Sequence, residues 1–195
     1  MKKIKISLKN LFLFLIIFIC LVLLIFQNVS ISGRATESFT DSNVSITKYI
    51  AISFSENLSE GIDFGDVNVL PATSLNATHN YDGLINGTSL YISVSSDSNT
   101  PVDFCIKANT DLTSIDLDVI GLANETYQNS STTNLTLPTT SPEIPLTTSY
   151  IKSGDNIAVG SENYYRFWLD VPVAQPSGDY NNTVSFKGVQ VGYSC

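Results

Sequence analysis

The stretch YYRFWLDV, residues 164–171, decides the fold. Its side chains alternate between two sides with the period of a β-strand. Both sides carry large rings, because Tyr165 and Phe167 fall on one and Tyr164 and Trp168 on the other. We therefore predict a central strand that is buried on both faces. The alternative is a binding surface, in which Trp168 and Tyr164 stack against a sugar ligand.

The rest of the chain repeats this period-2 pattern in shorter segments. Turn residues separate the segments, and none beyond residue 30 keeps a helical stripe over three turns. We predict an all-β protein, an antiparallel two-sheet immunoglobulin-like sandwich preceded by one N-terminal hydrophobic helix. The further predicted strands cover residues 44–54, 90–94, 102–107, 115–119 and 180–193, with a bulge near Lys187-Gly188.

The N-terminus has the pattern of an export signal. Four lysines within the first ten residues precede Leu11–Phe26, an unbroken apolar run of 16 residues. Signal sequences use about 7–15 apolar residues and membrane-spanning helices about 20, so cleavage and anchoring both stay open. The lysines hold the N-terminus in the cytoplasm and place the rest outside, at the cell surface or in the extracellular space.

These features divide the chain into three parts. Residues 1–35 are a signal peptide or N-terminal membrane anchor, residues 36–43 a short polar stalk, and residues 44–195 a β-sandwich ectodomain. Within the ectodomain, residues 129–149 are rich in Ser, Thr and Pro. This segment is either a long exposed loop or a ragged edge strand.

The ectodomain is strongly acidic. The net charge of the whole chain is −8, although its first ten residues carry four lysines and no acid. Such a surface repels phosphate, so the sequence excludes nucleic acid as a partner. The expected partners are the membrane, through an uncleaved N-terminal segment, and surface proteins or glycans.

Cysteines and glycosylation sequons fit the same compartment. Cys105 and Cys195 are the two cysteines outside the apolar run, and we predict a disulfide between them; free or intermolecular thiols are the alternative. Asn-x-Ser/Thr occurs more than twice as often as composition predicts, which favours N-glycosylation over a chance excess of turn residues. The candidate acceptors are Asn43, Asn57, Asn76, Asn86, Asn124, Asn129, Asn134 and Asn181.

Catalytic and metal-binding patterns are weak. His79 is the one histidine, and it lies among turn residues that indicate a solvated loop instead of a catalytic triad. Asp116 and Asp118 share one face of a predicted strand and are weak candidates for calcium ligands, with solvated carboxylates as the alternative. We expect no enzyme activity, no cofactor and no dedicated metal site.

Two segments carry a resemblance. They are GIDFGDV, residues 61–67, and FWLDVP, residues 167–172, followed by PSGDYNNTVSF, residues 176–186. Together they resemble uncharacterised archaeal exported or cell-surface β-sandwich proteins and, more distantly, fibre- and pilus-type sandwich subunits. The resemblance covers a small part of the chain and implies a fold, not catalytic residues.

The functional expectation is an exported cell-surface glycoprotein domain with a structural or adhesive role. One alternative is a carbohydrate- or ligand-binding sandwich module. The other is a surface-filament subunit that assembles by strand addition at an open sheet edge.

Overall fold

The computed structural model describes residues 8–27, 40–82, 87–132 and 143–195. The chain forms two compact units, Met1–Ser45 and Ile46–Cys195. The first contains α1, Leu8–Gln27. Among the described residues, no helix combines the length and the apolar character that crossing a membrane requires.

The regular secondary structure described in the second unit is mostly short strands. They are separated by turns, one short helix and one 3₁₀ turn, Leu122–Asn124. In chain order the elements are β1 (Ile52–Phe54), α2 (Glu56–Glu60), β2 (Ala72–Asn76), β3 (Tyr91–Val94), β4 (Val102–Ala108), β5 (Leu112–Thr113), β6 (Val119–Ile120), β7 (Glu125–Ser130), β8 (Ile144–Pro145), β9 (Ile151–Ile157), β10 (Glu162–Val171) and β11 (Val184–Gln190).

The strands form two larger sheets and a small hairpin. The first sheet has the order β1-β3-β10-β7-β8, with β2 also paired to β10, and the second has the order β11-β4-β9. Strands β5 and β6 pair with each other, and Thr113 of β5 forms an isolated bridge to Asn181; every pairing among the described strands is antiparallel. The prediction of an all-β antiparallel protein with one N-terminal helix is therefore confirmed, and the arrangement is compatible with a β-sandwich.

The two larger sheets share one hydrophobic core. Phe104 and Ile106 of β4 and Tyr165 and Phe167 of β10 belong to the same buried cluster. The rings of Tyr165 and Phe186, one from each sheet, meet edge to face at 5.3 Å between centroids. Burial of each such side chain contributes about 1.5–3 kcal/mol, so the contact between the sheets supplies much of the stability.

Strand β10 is the central strand, as its sequence predicts. Strand β7 pairs with residues 164–169 of β10 on one edge. On the other edge β3 pairs with residues 162–164 and β2 with residues 168–171. Both faces of β10 are covered, because Trp168 is only 8% exposed while Tyr165 and Phe167 are fully buried.

The prediction of a strand from Val44 onward is wrong. Only Ile52–Phe54 forms a strand, and the side chains of Val44 and Ile46 are exposed. The preceding backbone bonds to a loop: Tyr49 N–H donates to Asn99 Oδ1 at 2.8 Å, and Asn99 Nδ2 donates to the Thr47 carbonyl at 2.9 Å. Side-chain hydrogen bonds thus replace the partner strand that period-2 alternation implies.

The predicted strand over residues 115–119 is also wrong, and with it the shared face of Asp116 and Asp118. Residues 114–118 form the turn between β5 and β6, closed by a 2.9 Å hydrogen bond from Ser114 N–H to the Asp118 carbonyl. Leu117 adopts a positive φ of 69°. The apolar alternation here belongs to an exposed hairpin tip, at which Ile115 is 92% exposed.

Strand β11 has no bulge at Lys187-Gly188. Its register with β4 continues unbroken from Val184 opposite Ala108 to Gln190 opposite Val102. The alternation of apolar side chains shifts by one residue here because Gly188 takes an inward-facing position. A Cβ at this position would lie 2.8 Å from Val102 Cγ1. A glycine is therefore required by close packing between strands. Beyond β11, the end of the predicted 180–193 strand is a turn.

The Ser/Thr-rich segment 129–149 begins in β7 and contains β8, which lies at the edge of the larger sheet. Residues 133–142 lie outside the described residues. Leu146 N–H donates to the Glu125 carbonyl of β7, and Thr147 accepts from Ala108 N–H of β4. The chain thus passes from one sheet to the other at this point and closes this side of the sandwich.

Candidate functional site

The structure joins Cys105 and Cys195 in a disulfide, with 5.8 Å between their Cα atoms. Cys105 lies fully buried in β4, the middle strand of the smaller sheet. Lys187 Nζ also donates to the Cys195 carbonyl, and Gly192 N–H to Asp103 Oδ2 at 3.4 Å. The last residues of the chain are therefore fastened to the centre of a sheet.

The sequons differ in accessibility. Asn43, Asn76 and Asn181 are exposed, whereas Asn57, Asn124 and Asn129 are half-buried. The Asn57 amide donates to Ser89 Oγ at 2.6 Å, which engages the nitrogen that a glycan would occupy. Asn86 and Asn134 lie outside the described residues.

Trp168 and Tyr164, the candidate ligand-stacking pair, do not form an open aromatic platform. Trp168 is largely buried between its cross-strand neighbours Asn76 and Thr126. Tyr164 packs against Tyr91 at 5.5 Å between ring centroids, and its hydroxyl donates to Glu162 Oε2. The indole thus offers too little exposed area for a sugar to stack on it.

The structure places the candidate calcium ligands, Asp116 and Asp118, on the turn between β5 and β6. Asp116 is exposed on the hairpin turn, and Asp118 is half-exposed at its end. In the described ranges, no group of three or more His, Cys, Asp or Glu side chains lies close enough to hold a metal ion. A calcium ion requires six to eight oxygen ligands, so this turn does not provide a site by itself.

His79 belongs to a polar cluster that differs from a Ser-His-Asp triad. Its Nδ1 contacts Asp82 Oδ2, and the Ser89 hydroxyl donates to the other oxygen of the same carboxylate. A triad places the histidine between serine and aspartate, whereas here Asp82 lies between His79 and Ser89. The serine therefore has no base to activate it.

The described part of the second unit contains a large groove. We call it the end groove; its volume is about 1060 Å³. Residues 61–68 form one wall and residues 175–184 the other. The floor is formed by Leu112, Ile120, Glu125 and Leu169. Its volume lies just above the ~300–1,000 Å³ typical of small-ligand sites.

Local hydrogen bonds hold both walls. Asp63 Oδ1 accepts from Gly65 N–H at 2.9 Å, in a turn where Gly65 has a positive φ of 66° that favours glycine. In the opposite wall, Gln175 Nε2 donates to the Tyr180 hydroxyl, which donates to the Pro176 carbonyl at 2.8 Å. The groove is therefore preformed, as binding sites usually are.

Glu125 is the chemically unusual residue of the groove. It is 1% exposed, and Asn182 Nδ2 donates to its Oε2 at 2.6 Å. Burial raises the pKa of the Glu125 carboxyl above its ordinary value, and the hydrogen bond from Asn182 offsets only part of this. A perturbed carboxyl on the floor of a groove is typical of functional sites.

The raised pKa gives a stability prediction for Glu125→Gln. Below about pH 4 the carboxyl is protonated in both states, so it has little effect on the pH dependence of folding. As the pH rises through the folded pKa, only the folded state resists ionisation, and stability is lost. At pH 7 the variant should be more stable by about 1–3 kcal/mol.

Denaturant unfolding of both proteins at pH 4 and pH 7 measures this difference. The difference in the free energy of unfolding between variant and wild type should nearly vanish at pH 4. A variant that is less stable at pH 7, or a gap independent of pH, contradicts the burial of an ionisable Glu125.

Glu125 could not be recognised as a site residue from the sequence pattern. Strand β7, which carries it, reads ETYQNS and lacks the alternation that predicts a strand. The groove also unites residues from Phe54 to Phe186, which are far apart in the chain. Only the fold brings these groups together.

No family model matches the chain, and no curated protein matches it. Function must therefore be argued from the geometry of this chain.

Proposed function

We propose that the protein is an exported cell-surface glycoprotein domain with a structural or adhesive role, which acts by binding and not by catalysis. In this proposal the lysine-rich N-terminus stays in the cytoplasm, and the ectodomain is an immunoglobulin-like sandwich outside the membrane. The antiparallel sheets, their shared core and the chain's crossing from β8 to β9 support the finer fold assignment.

The observation that carries this proposal is the Cys105–Cys195 disulfide. Disulfides persist in oxidising compartments and are rare in reducing cytosol. A bond that ties the final residue to the central strand of a sheet also suits a domain that must stay folded without the protection of the cell interior. The exposed sequons at Asn43, Asn76 and Asn181 support the same compartment.

Surface labelling of intact native cells tests the proposal. A membrane-impermeant amine reagent should label the protein before lysis, and the non-reduced intact mass should show two hydrogens fewer than the dithiol form. The same mass reports glycans and signal cleavage. Labelling only after lysis, or free thiols at both Cys105 and Cys195, would refute an exported domain.

The edge strand β11 supports a second candidate function, filament assembly by strand addition. Strand β11 pairs with β4 and lies at the edge of its sheet, next to the end groove. Open edges can accept a strand from another molecule. Strand β11 carries one lysine, Lys187, which donates to the Cys195 carbonyl, and a second lysine on this edge should discourage strand addition.

Negative-stain microscopy of the purified full-length protein tests this candidate. Filaments should form with the wild type and be lost in Ser185→Lys, a substitution in β11. Ile115→Lys is the matched control, because it adds the same charge at the exposed hairpin tip. Absence of filaments in the wild type, or equal filaments in both variants, would rule out assembly through β11.

A further inference from the structure

We propose that the end groove binds an uncharged saccharide, and that Glu125 forms a hydrogen bond with a sugar hydroxyl on its floor. This inference deepens the proposed adhesive function and rests on it. It moves the carbohydrate site from Trp168, which is buried, to a groove that the sequence did not indicate.

The charge of the groove selects the class of ligand. Its ionisable lining residues include Asp63, Asp66, Glu125 and Asp179, and of the described residues that line it none is Lys, Arg or His. An anionic ligand such as a phosphate, a sulfated sugar or a sialic acid would meet only like charge. The ligand is therefore uncharged or cationic.

The hydrogen-bonding state of Glu125 favours an uncharged ligand. A cation would be held by an ionised carboxylate, whereas burial holds the Glu125 carboxyl towards its neutral form. Glu125 lines the groove, and its Oε2 accepts from Asn182 at 2.6 Å. A neutral carboxyl can both donate to and accept from a ligand hydroxyl, which suits an uncharged sugar.

The other lining groups match the two kinds of surface that a sugar presents. Carboxylates and side-chain amides, such as those of Asp66, Asn68 and Asn181, can bond its hydroxyls. The apolar C–H faces of the sugar ring can pack against rings, and Tyr180 and Phe64 line the two walls. The Tyr180 hydroxyl is already fixed by Gln175 and Pro176, so its ring is held in place.

The preformed walls lower the entropic cost of binding. The Asp63–Gly65 turn is joined to the body of the sandwich, because Thr78 N–H donates to the Asp63 carbonyl at 2.8 Å. Asn182, which positions Glu125, also bonds the Thr110 carbonyl at 3.4 Å. A site whose groups need not be ordered on binding retains more of its interaction energy.

A glycan array tests the inference with the full-length protein. The array should carry neutral oligosaccharides together with their sialylated and sulfated counterparts, and only neutral members should bind. Titration calorimetry with the best neutral member gives the affinity. Glu125→Ala should weaken it about 10- to 100-fold, because a hydrogen bond to a largely desolvated carboxyl is lost.

Two further variants keep the test decisive. Tyr180→Ala, on the half-buried wall, should weaken binding about 3- to 10-fold even if Glu125→Ala fails to fold. Asp116→Asn is the matched control, since it changes an exposed carboxylate outside the groove and should bind like the wild type.

The outcomes separate this inference from the proposed function. A surface-exposed wild type that binds no neutral saccharide overturns the saccharide site and leaves the adhesive role in place. The inference is also overturned if Glu125→Ala and Tyr180→Ala both bind the sugar as tightly as the wild type. It is overturned as well if anionic competitors displace the bound sugar and neutral ones do not. Tight binding of spermidine without any sugar binding would show that the groove selects cations instead.

Discussion

Loss of the Cys105–Cys195 disulfide is expected to lower the free energy of unfolding by about 3–5 kcal/mol. The two cysteines are 90 residues apart in the sequence, so the bond removes a large loop-closure entropy from the unfolded chain. Many small domains have only 5–15 kcal/mol of stability in total. The double variant Cys105→Ala/Cys195→Ala should therefore unfold at a much lower denaturant concentration.

Tryptophan fluorescence measures this transition well. Trp168 is the one tryptophan, and its position in β10 makes it a probe of the central strand. Wild-type protein treated with a reductant separates the effect of the bond from that of the missing sulfur atoms. It should lose nearly the same stability as the double variant.

Cys20→Ser is the matched control, because Cys20 is a free, exposed cysteine in α1. It removes a thiol and leaves the disulfide intact, so the transition of Trp168 should not move. A double variant as stable as this control would mean that the bond contributes nothing and that the chain ends are held by other contacts.

The sequence predicted the parts of the fold in which alternation and burial coincide. Strands β3, β4 and β10 all lie in segments where large apolar side chains recur at every second residue. A strand in a sheet that packs against another sheet needs apolar side chains at every second position, so in these segments the pattern predicts the strand correctly.

The same rule failed where alternation had another cause. Ile115 and Leu117 alternate on a hairpin tip, and Val44 and Ile46 alternate in a segment without a partner strand. Conversely, β7 was missed because polar Glu125 and Gln128 occupy buried positions in it. A period-2 pattern states which side chains could share a face, but only tertiary pairing decides whether a strand forms.

The candidate site was less predictable than the fold for a related reason. Single residues with distinctive chemistry, such as Trp168 and His79, attract attention in a sequence. In the structure Trp168 is buried in the sheet, and His79 contacts the carboxylate of Asp82. The unusual group is Glu125, whose character comes from its burial and from Asn182, a neighbour 57 positions away in the chain.

Asn80 is expected to be the most sensitive polar residue of the sandwich. Between the segments of β10 that pair with β3 and β2, its side chain replaces a missing strand. Asn80 Oδ1 accepts from Phe167 N–H at 2.9 Å, and its Nδ2 donates to the Phe167 carbonyl at 2.6 Å. Asn80 is fully buried, so water cannot take over either bond.

Asn80→Leu should therefore lower the free energy of unfolding by about 2–4 kcal/mol. Leucine has a similar shape, but it leaves Phe167 N–H buried without a partner, and such a group costs about 1–3 kcal/mol. The Phe167 carbonyl keeps one bond, from Ala77 N–H at 3.1 Å. Denaturant unfolding gives the free energy, and hydrogen exchange at the Phe167 amide reports the lost bond.

Asn99→Leu is a matched control that distinguishes burial from hydrogen bonding. Asn99 makes the same pair of bonds, to Tyr49 N–H and to the Thr47 carbonyl, but it is exposed. Water can replace those bonds, so this variant should lose less than about 1 kcal/mol. If both leucine variants cost the same, the burial of Asn80 does not set the energy of its bonds.

Asn80→Asp adds a pH signature that a purely steric effect lacks. Its carboxylate keeps the acceptor for Phe167 N–H but turns a second oxygen towards the Phe167 carbonyl, so at pH 7 it should be at least as destabilising as leucine. Burial raises the pKa of such a carboxyl, and protonation restores the donor. Stability relative to wild type should therefore recover as the pH falls towards 4, whereas the deficit of Asn80→Leu should not change. Parallel pH curves for the two variants would show that the strand-replacing bonds are not what Asn80 contributes.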